Sequence, residues 1–353
     1  KRSTYISIIH MKKQETINKY IALRPLYKKL AEKISQIIRE VLEINKINYH
    51  GISYRAKEID SFSKKIEKPK YNDPINDLTD FARIRIIGYV EQDVKQIEDL
   101  IVNLFDIDYI NSLDKSEELG TDKVGYKSVH YVGSLAKDRL KLPEYKRFEN
   151  LKFEIQIRTI LQHSWAEIEH DKNYKFSGEL PKEIQRRFKL LAGTLESADR
   201  EFNQLSKEID DYSQEVKINT EKGNLNIPIN STSLKQFYFT KFEKLISTAQ
   251  VVSDFNGSKN EFKIFNELRN FGLNTLEELE QIIPKNLEKI ISKHGMQENF
   301  TGLTRLLLIA NDIDKYFEKS YNKNWTSYNS DEADYYKDFG IDCGKLKQYL
   351  KFK

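Results

Sequence analysis

From Phe153 to Thr159 the chain alternates, with Phe153, Ile155 and Ile157 on one side and Glu154, Gln156 and Arg158 on the other. A period of two with one apolar side commits the segment to a strand, and the apolar side then needs a core over it. Directly after it, Gln162-His163-Ser164-Trp165-Ala166-Glu167-Ile168-Glu169-His170-Asp171 predicts a helix crowded with His, Glu and Trp. The polar side sets an acid, an amide and a guanidinium in a row on a rigid element, as a metal-nucleotide site requires. Taken alone, the pattern serves an amphipathic edge strand with a cross-strand ion pair equally well.

A chain of 353 residues is too long for one ordinary core and predicts two domains. With 39% hydrophobic and 12% aromatic residues it can bury both. Charged residues make up 32% and nearly cancel, at +4 overall, which does not suggest a tight nonspecific nucleic-acid binder. The single cysteine, Cys343, excludes a disulfide framework and a Cys-based zinc site and points to a reducing cytoplasm. No apolar run approaches the roughly 20 residues of a membrane span. The richest, Leu303 to Ala310, is interrupted by Arg305. Lys1 to His10 has no signal-peptide pattern, so a soluble, cytoplasmic protein without membrane contact is expected.

Leu26, Leu30, Ile34, Ile37, Ile38, Val41 and Leu42 recur at helical spacing and predict a helix from Pro25 to near Asn45. A short link through Tyr49, His50 and Gly51 leads to a basic helix at about 57–67, then a turn-rich loop from Pro69 to Pro74. Strands are expected at 82–90, 105–113, 128–135 and 152–158, with a helix at 93–104 and a polar loop from Asp114 to Gly125. Helices follow at 159–174 and from Pro181 to about Val216. Mixed strands with interspersed helices give an α/β or α+β first domain over 1–216. The polar stretch 217–233, with Gly223, Pro228 and a Ser-Thr-Ser run, is the expected linker. Residues 234–353 read as a smaller, mainly helical domain, with a Thr275–Glu278 capping box and a helix at 303–317. Its tail carries Tyr316, Tyr321, Trp325, Tyr328, Tyr335, Tyr336 and Tyr349. Such rings either form a contact surface or close the small domain, and the second is the expectation.

Four groups on the first domain carry chemistry. Arg55, Lys57, Ser61 and Lys65 place cations and a hydroxyl near a helix start, where anions bind. In Asp80-Phe81-Ala82-Arg83-Ile84-Arg85 an acid suited to Mg²⁺ opens a strand that carries two arginines on one face. Arg85 can stack on a base as a flat cation. In Gly125-Tyr126-Lys127-Ser128-Val129-His130 a ring sits at a loop-to-strand edge, suited to stacking or to burial. Glu154-Ile155-Gln156-Ile157-Arg158-Thr159 with Trp165-Ala166-Glu167-Ile168-Glu169-His170 is the fourth.

In order and spacing these motifs, over about residues 24–215, resemble the synthetase domain of the RelA/SpoT alarmone family. The resemblance implies an α+β fold: a nucleotidyltransferase-like mixed sheet flanked by helices, here followed by the helical C-terminal domain. It implies Mg²⁺-dependent transfer of pyrophosphate from ATP to the 3′-hydroxyl of GDP or GTP. By position it assigns Arg55 and Arg85 to adenine and Lys57, Ser61 and Lys65 to the triphosphate. Asp80 and Glu154 become the metal ligands, with Glu154 also taking the 3′-hydroxyl proton. Tyr126, Lys127, His130, Gln156 and His163 fall on the acceptor side.

The chain departs from the family pattern at Lys127, where Arg or Gln is common, at Arg83, where Gly is common, and in the longer Asp114–Lys123 loop. A second function therefore stands beside the first, a growth-arresting relative that pyrophosphorylates the tRNA 3′ end. In either case residues 234–353 would restrain the catalytic domain or meet a protein trigger, and homo-oligomers are possible. An inactive regulatory pseudo-synthetase is the third reading. His163, Glu167 and His170 have a zinc-compatible spacing, but His163 reads as acceptor-facing and the other two as helix packing or an ion pair. His170-Asp171 resembles one dyad of the family's hydrolase domain, without that domain's other ligands.

Overall fold

β2 (Ala82–Gly88) and β6 (Phe153–Thr159) lie side by side and parallel at the middle of a mixed sheet. Ala82, Ile84, Ile86, Phe153, Ile155 and Ile157 form their common apolar side, and all are buried. The computed structural model describes residues 2–67, 71, 73–114, 128–175, 180–255, 259–321, 323, 327–328 and 332–352. The chain divides into two units between Ser206 and Lys207.

In the first unit β1 (Gly51–Ala56) pairs antiparallel with β2, and β5 (Val129–Leu135) antiparallel with β6. β3 (Phe105–Ile107) and the short β4 (Leu113–Asp114) both pair antiparallel with β5, which gives the order β1-β2-β6-β5-β3. Helices α1 (Arg2–Ile44) and α4 (Glu91–Leu104) supply the core residues opposite the sheet's apolar face. This is the expected α+β arrangement, a mixed sheet flanked by helices.

Three local expectations give way. The helix expected from Pro25 is the second half of α1, which runs through the proline. An interior proline costs a helix about 3 kcal/mol, yet Tyr20, Tyr27, Leu30 and Ile34 continue one buried stripe across it. The link expected through Tyr49, His50 and Gly51 is instead the start of the edge strand β1, while the basic helix expected at 57–67 forms as the short α2 (Ile59–Lys65). Six residues with Ser53 and Arg55 alternating against Ile52, Tyr54 and Ala56 make a weak local signal, and pairing with β2 decides it. The strand expected at 105–113 is broken by a turn in which Asp108 accepts from Asn111 and Lys152.

Helix Lys182–Glu221 passes through the division between the units. Of the stretch 217–233, Leu225, Ile227 and Ile229 pack against the second unit's core, and Pro228 bridges to Thr275. That unit is mainly helical, with helices including Ser231–Lys241, Lys259–Phe271, Leu287–His294 and Phe300–Asn311. The Thr275–Glu278 capping box forms as read. Tyr316 and Tyr335 are buried in the core and Tyr349 stacks on Phe317 at 4.4 Å, while Trp325 lies outside the described residues.

Arg305, which interrupts the apolar run, has a partner in this core. It donates from Nε and Nη2 to the carboxylate of buried Glu267, at 2.9 and 2.7 Å, and the Tyr316 hydroxyl donates to the same carboxylate at 2.9 Å. Deleting one member of a buried pair strands the other charge. Glu267→Ala is therefore expected to destabilise the protein by about 3–5 kcal/mol, read by urea unfolding; a loss within 1 kcal/mol, roughly the scale of exposed pairs, would show the pair to be incidental.

Candidate active site

Asp80 stands just before β2, and its position follows from the residue after it. Phe81 is buried in an aromatic cluster with Tyr20, Tyr27 and Phe62, at centroid distances of 4.7, 4.9 and 5.6 Å. Phe62 belongs to α2, so the same cluster anchors the helix that carries Lys65. Lys57 is fixed through its backbone. Its N–H donates to the Phe81 carbonyl at 2.8 Å, and its carbonyl accepts from the Tyr20 hydroxyl at 2.6 Å and Arg24 Nε at 3.0 Å.

Three cations converge on one oxygen. Lys57 Nζ, Lys65 Nζ and Arg83 Nη2 lie 2.7, 2.9 and 3.1 Å from Asp80 Oδ2. Asp80 itself is 4% exposed, so these cations do most of the work that water would otherwise do. Burial pushes its carboxyl up, and Lys57 and Lys65 outweigh that, leaving it below the ordinary carboxylate range. Burial also lowers the Lys57 ammonium, against the opposing pull of Asp80.

Strand register assembles the rest. Arg83 pairs with Arg55 on β1 and with Glu154 on β6, and Arg85 pairs with Ser53 and Gln156. His130 on β5 pairs with Gln156. All of these side chains therefore share the face opposite the isoleucine core. Gln156 Nε2 donates to Glu154 Oε1 at 2.7 Å, and His130 Nδ1 lies 3.6 Å from the same oxygen. His130 Nε2 meets Ser128 Oγ at 2.8 Å. Arg83 Nε sits 3.2 Å from Glu154 Oε1 as an ion pair without a directed hydrogen bond. One guanidinium thus touches both expected metal ligands.

A second cluster joins β6 to helix Ile160–Lys175. Thr159 and Gln162 exchange the reciprocal bonds of a capping box, and the Thr159 hydroxyl donates to buried Asp199 at 2.6 Å. Arg158, buried, donates to His163 Nδ1 at 2.7 Å and to Glu167 Oε1 at 3.3 Å, and Arg85 Nη1 donates to Glu167 Oε1 at 2.8 Å. An arginine only donates, so Nδ1 of His163 is an acceptor and its proton resides on Nε2. Burial, then Arg158 and Arg85, lower the His163 imidazole and keep it neutral near pH 7. Burial raises the Glu167 carboxyl, and Arg85, His163 and Arg158 more than offset it.

Asp80, Lys57, Lys65, Glu154, Gln156 and His130 thus come together, Lys57 from the end of a strand rather than from a helix. Arg55 and Ser61 are exposed, and Arg55 makes no ion pair among the described residues. Tyr126 and Lys127 lie outside the described residues, as does the side chain of His170. Sequence reasoning assigned no role to Tyr20 and Arg24, which hold Lys57. It read Glu167 as a packing or ion-pair residue, which its bonds to Arg85 and Arg158 make an ion pair, and gave Arg83 no role beyond sharing a strand face with Arg85 and departing from the family pattern. Tyr20, Arg24 and Glu167 each reach a partner more than 30 residues away, as Arg83 does with Glu154, while Arg83 with Asp80 and Glu167 with Arg158 are local pairs.

The carboxylates suit a hard divalent cation. Buried Asp80 Oδ1 takes no hydrogen bond, and the contacts to Glu154 fall on Oε1, leaving one oxygen of each acid available.

Residues 54–179 match the family model described as the region found in RelA / SpoT proteins. The first unit is thus similar, over those residues, to the region found in RelA / SpoT proteins. The chain is 27% identical over 135 residues to the GTP pyrophosphokinase YjbM of Bacillus subtilis, covering 38% of this chain and 61% of that protein. It is 28% identical over 131 residues to the GTP pyrophosphokinase YwaC of the same organism, covering 37% and 59%. The chain thus spans less than two thirds of the length of these relatives. Among solved structures, small alarmone synthetase 1 from Bacillus subtilis aligns with TM-score 0.47 and 22% identity, over 55% of this chain and 99% of that one. A GTP pyrophosphokinase family protein from Streptococcus pneumoniae aligns with TM-score 0.43 and 27% identity, over 56% and 95%.

Two titrations follow. Because the Asp80 carboxyl is lower folded than unfolded, its stabilisation is present above the unfolded value of 3.8 and is lost as pH falls through the folded one. Asp80→Asn is expected to be less stable than wild type at neutral pH, with the gap closing as the pH drops below 3.8; urea unfolding at stepped pH checks this. The His163 ring is expected to titrate below 6.5 in ¹H–¹³C NMR, assigned with His163→Gln, and a midpoint above that value contradicts the Arg158 contact.

Proposed function

We propose that this chain transfers pyrophosphate from ATP to the 3′-hydroxyl of GDP or GTP, making (p)ppGpp. The observation that carries this reading is the Lys57–Lys65–Asp80–Arg83–Glu154 constellation on one sheet face, cations and metal-type acids within bonding distance of one another. The match to the RelA/SpoT region and the names of the two curated relatives support it.

In the reaction the acceptor 3′-oxygen bonds to the β-phosphorus of ATP, the bond from that phosphorus to the α,β-bridging oxygen breaks, and AMP leaves. Such a transfer needs charge neutralisation and in-line placement more than covalent help. Asp80 and Glu154 would hold Mg²⁺, which supplies Lewis-acid stabilisation of the phosphate oxygens when bound. Lys57 and Lys65 face the position where a triphosphate would meet Asp80, and can exchange that carboxylate for phosphate oxygens. Glu154 takes the 3′-hydroxyl proton as general base. Gln156, donating to Oε1, holds the carboxylate in place for that role. Arg85 donates an edge to Glu167 and is assigned to the adenine ring as a flat cation. Exposed Arg55 joins it there, and Ser61, Tyr126, Lys127, His130 and His163 complete donor and acceptor sides in this reading.

The test incubates the full chain with β-³²P-labelled ATP, Mg²⁺ and GDP, GTP or bulk tRNA. Label in the guanosine nucleotides supports the proposal, label in tRNA moves the acceptor to the tRNA 3′ end, and label in none sinks the transferase reading. Glu154→Gln, folded by circular dichroism, is expected to lower the rate by about 10²–10⁴-fold.

A further inference from the structure

Arg83 stands where the resemblance leads one to expect a glycine, and its guanidinium reaches both acids assigned to the metal: Nη2 is 3.1 Å from Asp80 Oδ2 and Nε is 3.2 Å from Glu154 Oε1. It does so from a strand position whose neighbours on either side, Arg55 and Glu154, are fixed by register. With Lys57 and Lys65 it completes three positive charges on one buried carboxylate. Those charges exceed the single negative charge of Asp80, and even the two acids together carry less charge than the three cations. A free divalent cation approaching Asp80 Oδ1 or Glu154 therefore meets an already compensated site, where repulsion by nearby cations is stronger than in water. A triphosphate reverses the balance, because it brings several negative charges and draws the two lysines onto its own oxygens.

From this, and resting on the nucleotide-transfer reading above, we infer that Arg83 is a positioning residue. It bridges Asp80 and Glu154 in the nucleotide-free protein, so that a divalent cation is taken up only together with a triphosphate. The guanidinium ties the two acids together without a metal, and it bars a bare ion from occupying them. A glycine at this position has no side chain to do either.

The experiment uses Mn²⁺ as the probe and the full chain. Free Mn²⁺ is measured by EPR during titration, with and without α,β-methylene-ATP, whose carbon bridge cannot be broken by transfer. In wild type, binding is expected only with the analogue. In Arg83→Gln, Mn²⁺ binding without nucleotide is expected to tighten by roughly tenfold or more as a positive charge leaves the site. With the analogue present the two proteins should agree within a few-fold. Lys65→Met, which removes a second cation from an accessible helix end, is expected to show the same nucleotide-free gain and serves if Arg83→Gln folds poorly. Analogue-dependent binding in all proteins, with no nucleotide-free gain in either variant, overturns the role of Arg83 and leaves the transfer reading standing. Absence of Mn²⁺ binding to every protein even with the analogue overturns the transfer reading and this proposal with it.

Discussion

A single buried carboxylate oxygen, Asp80 Oδ2, organises the candidate site. Burying an ion is costly unless its partners are close and well aimed, and here Lys57, Lys65 and Arg83 all reach it within 3.1 Å. They come from three different places, the end of β1, the end of α2 and the face of β2. Because they must converge, the ends of those elements cannot drift independently. The Tyr20–Tyr27–Phe62–Phe81 cluster provides the rigid floor, and the Tyr20 hydroxyl ties α1 to the Lys57 carbonyl. Hydrophobic packing on one side of the backbone thus sets the geometry of the polar groups on the other.

The same division of labour runs across the sheet. Isoleucines on β2 and β6 face the core, and every second residue contributes to one polar surface. Arg85, Arg158, His163 and Glu167 form a neighbouring network that fixes which ring nitrogen of His163 carries the proton. That network connects β2, β6 and the helix after β6, so its side chains inherit their orientation from the Thr159–Gln162 cap and the Thr159–Asp199 bond.

Much of this was legible in the chain. The alternation at 153–159 predicts a strand and its two faces, and it is a strand with those faces. The isoleucines of β2 and the stripe of α1 carry equally strong periodic signals. β1 was not legible, since six residues with an exposed tyrosine and an arginine hold no period long enough to outweigh the basic stretch beyond. Pro25 misled for a related reason: local propensity favours a helix start there, while a buried stripe on both sides of it favours continuity. The stretch 217–233 has the composition of a linker, and three of its apolar residues, Leu225, Ile227 and Ile229, pack against a core that lies mostly later in the sequence.

By itself, then, the amino-acid order determined which residues could do chemistry: the acids, lysines and arginines of the four motifs, spaced along strands and loops. Side-chain period and residue type are local properties, so they can be read from the sequence alone. What only the tertiary structure decided is who meets whom. That Arg83 spans Asp80 and Glu154, that Tyr20 holds Lys57 and that Glu167 joins Arg85 to Arg158 depend on strand register and helix packing. Three of these contacts, Arg83 with Glu154, Tyr20 with Lys57 and Arg85 with Glu167, link residues far apart in the chain, and a one-residue slip in pairing would turn the polar face into the core.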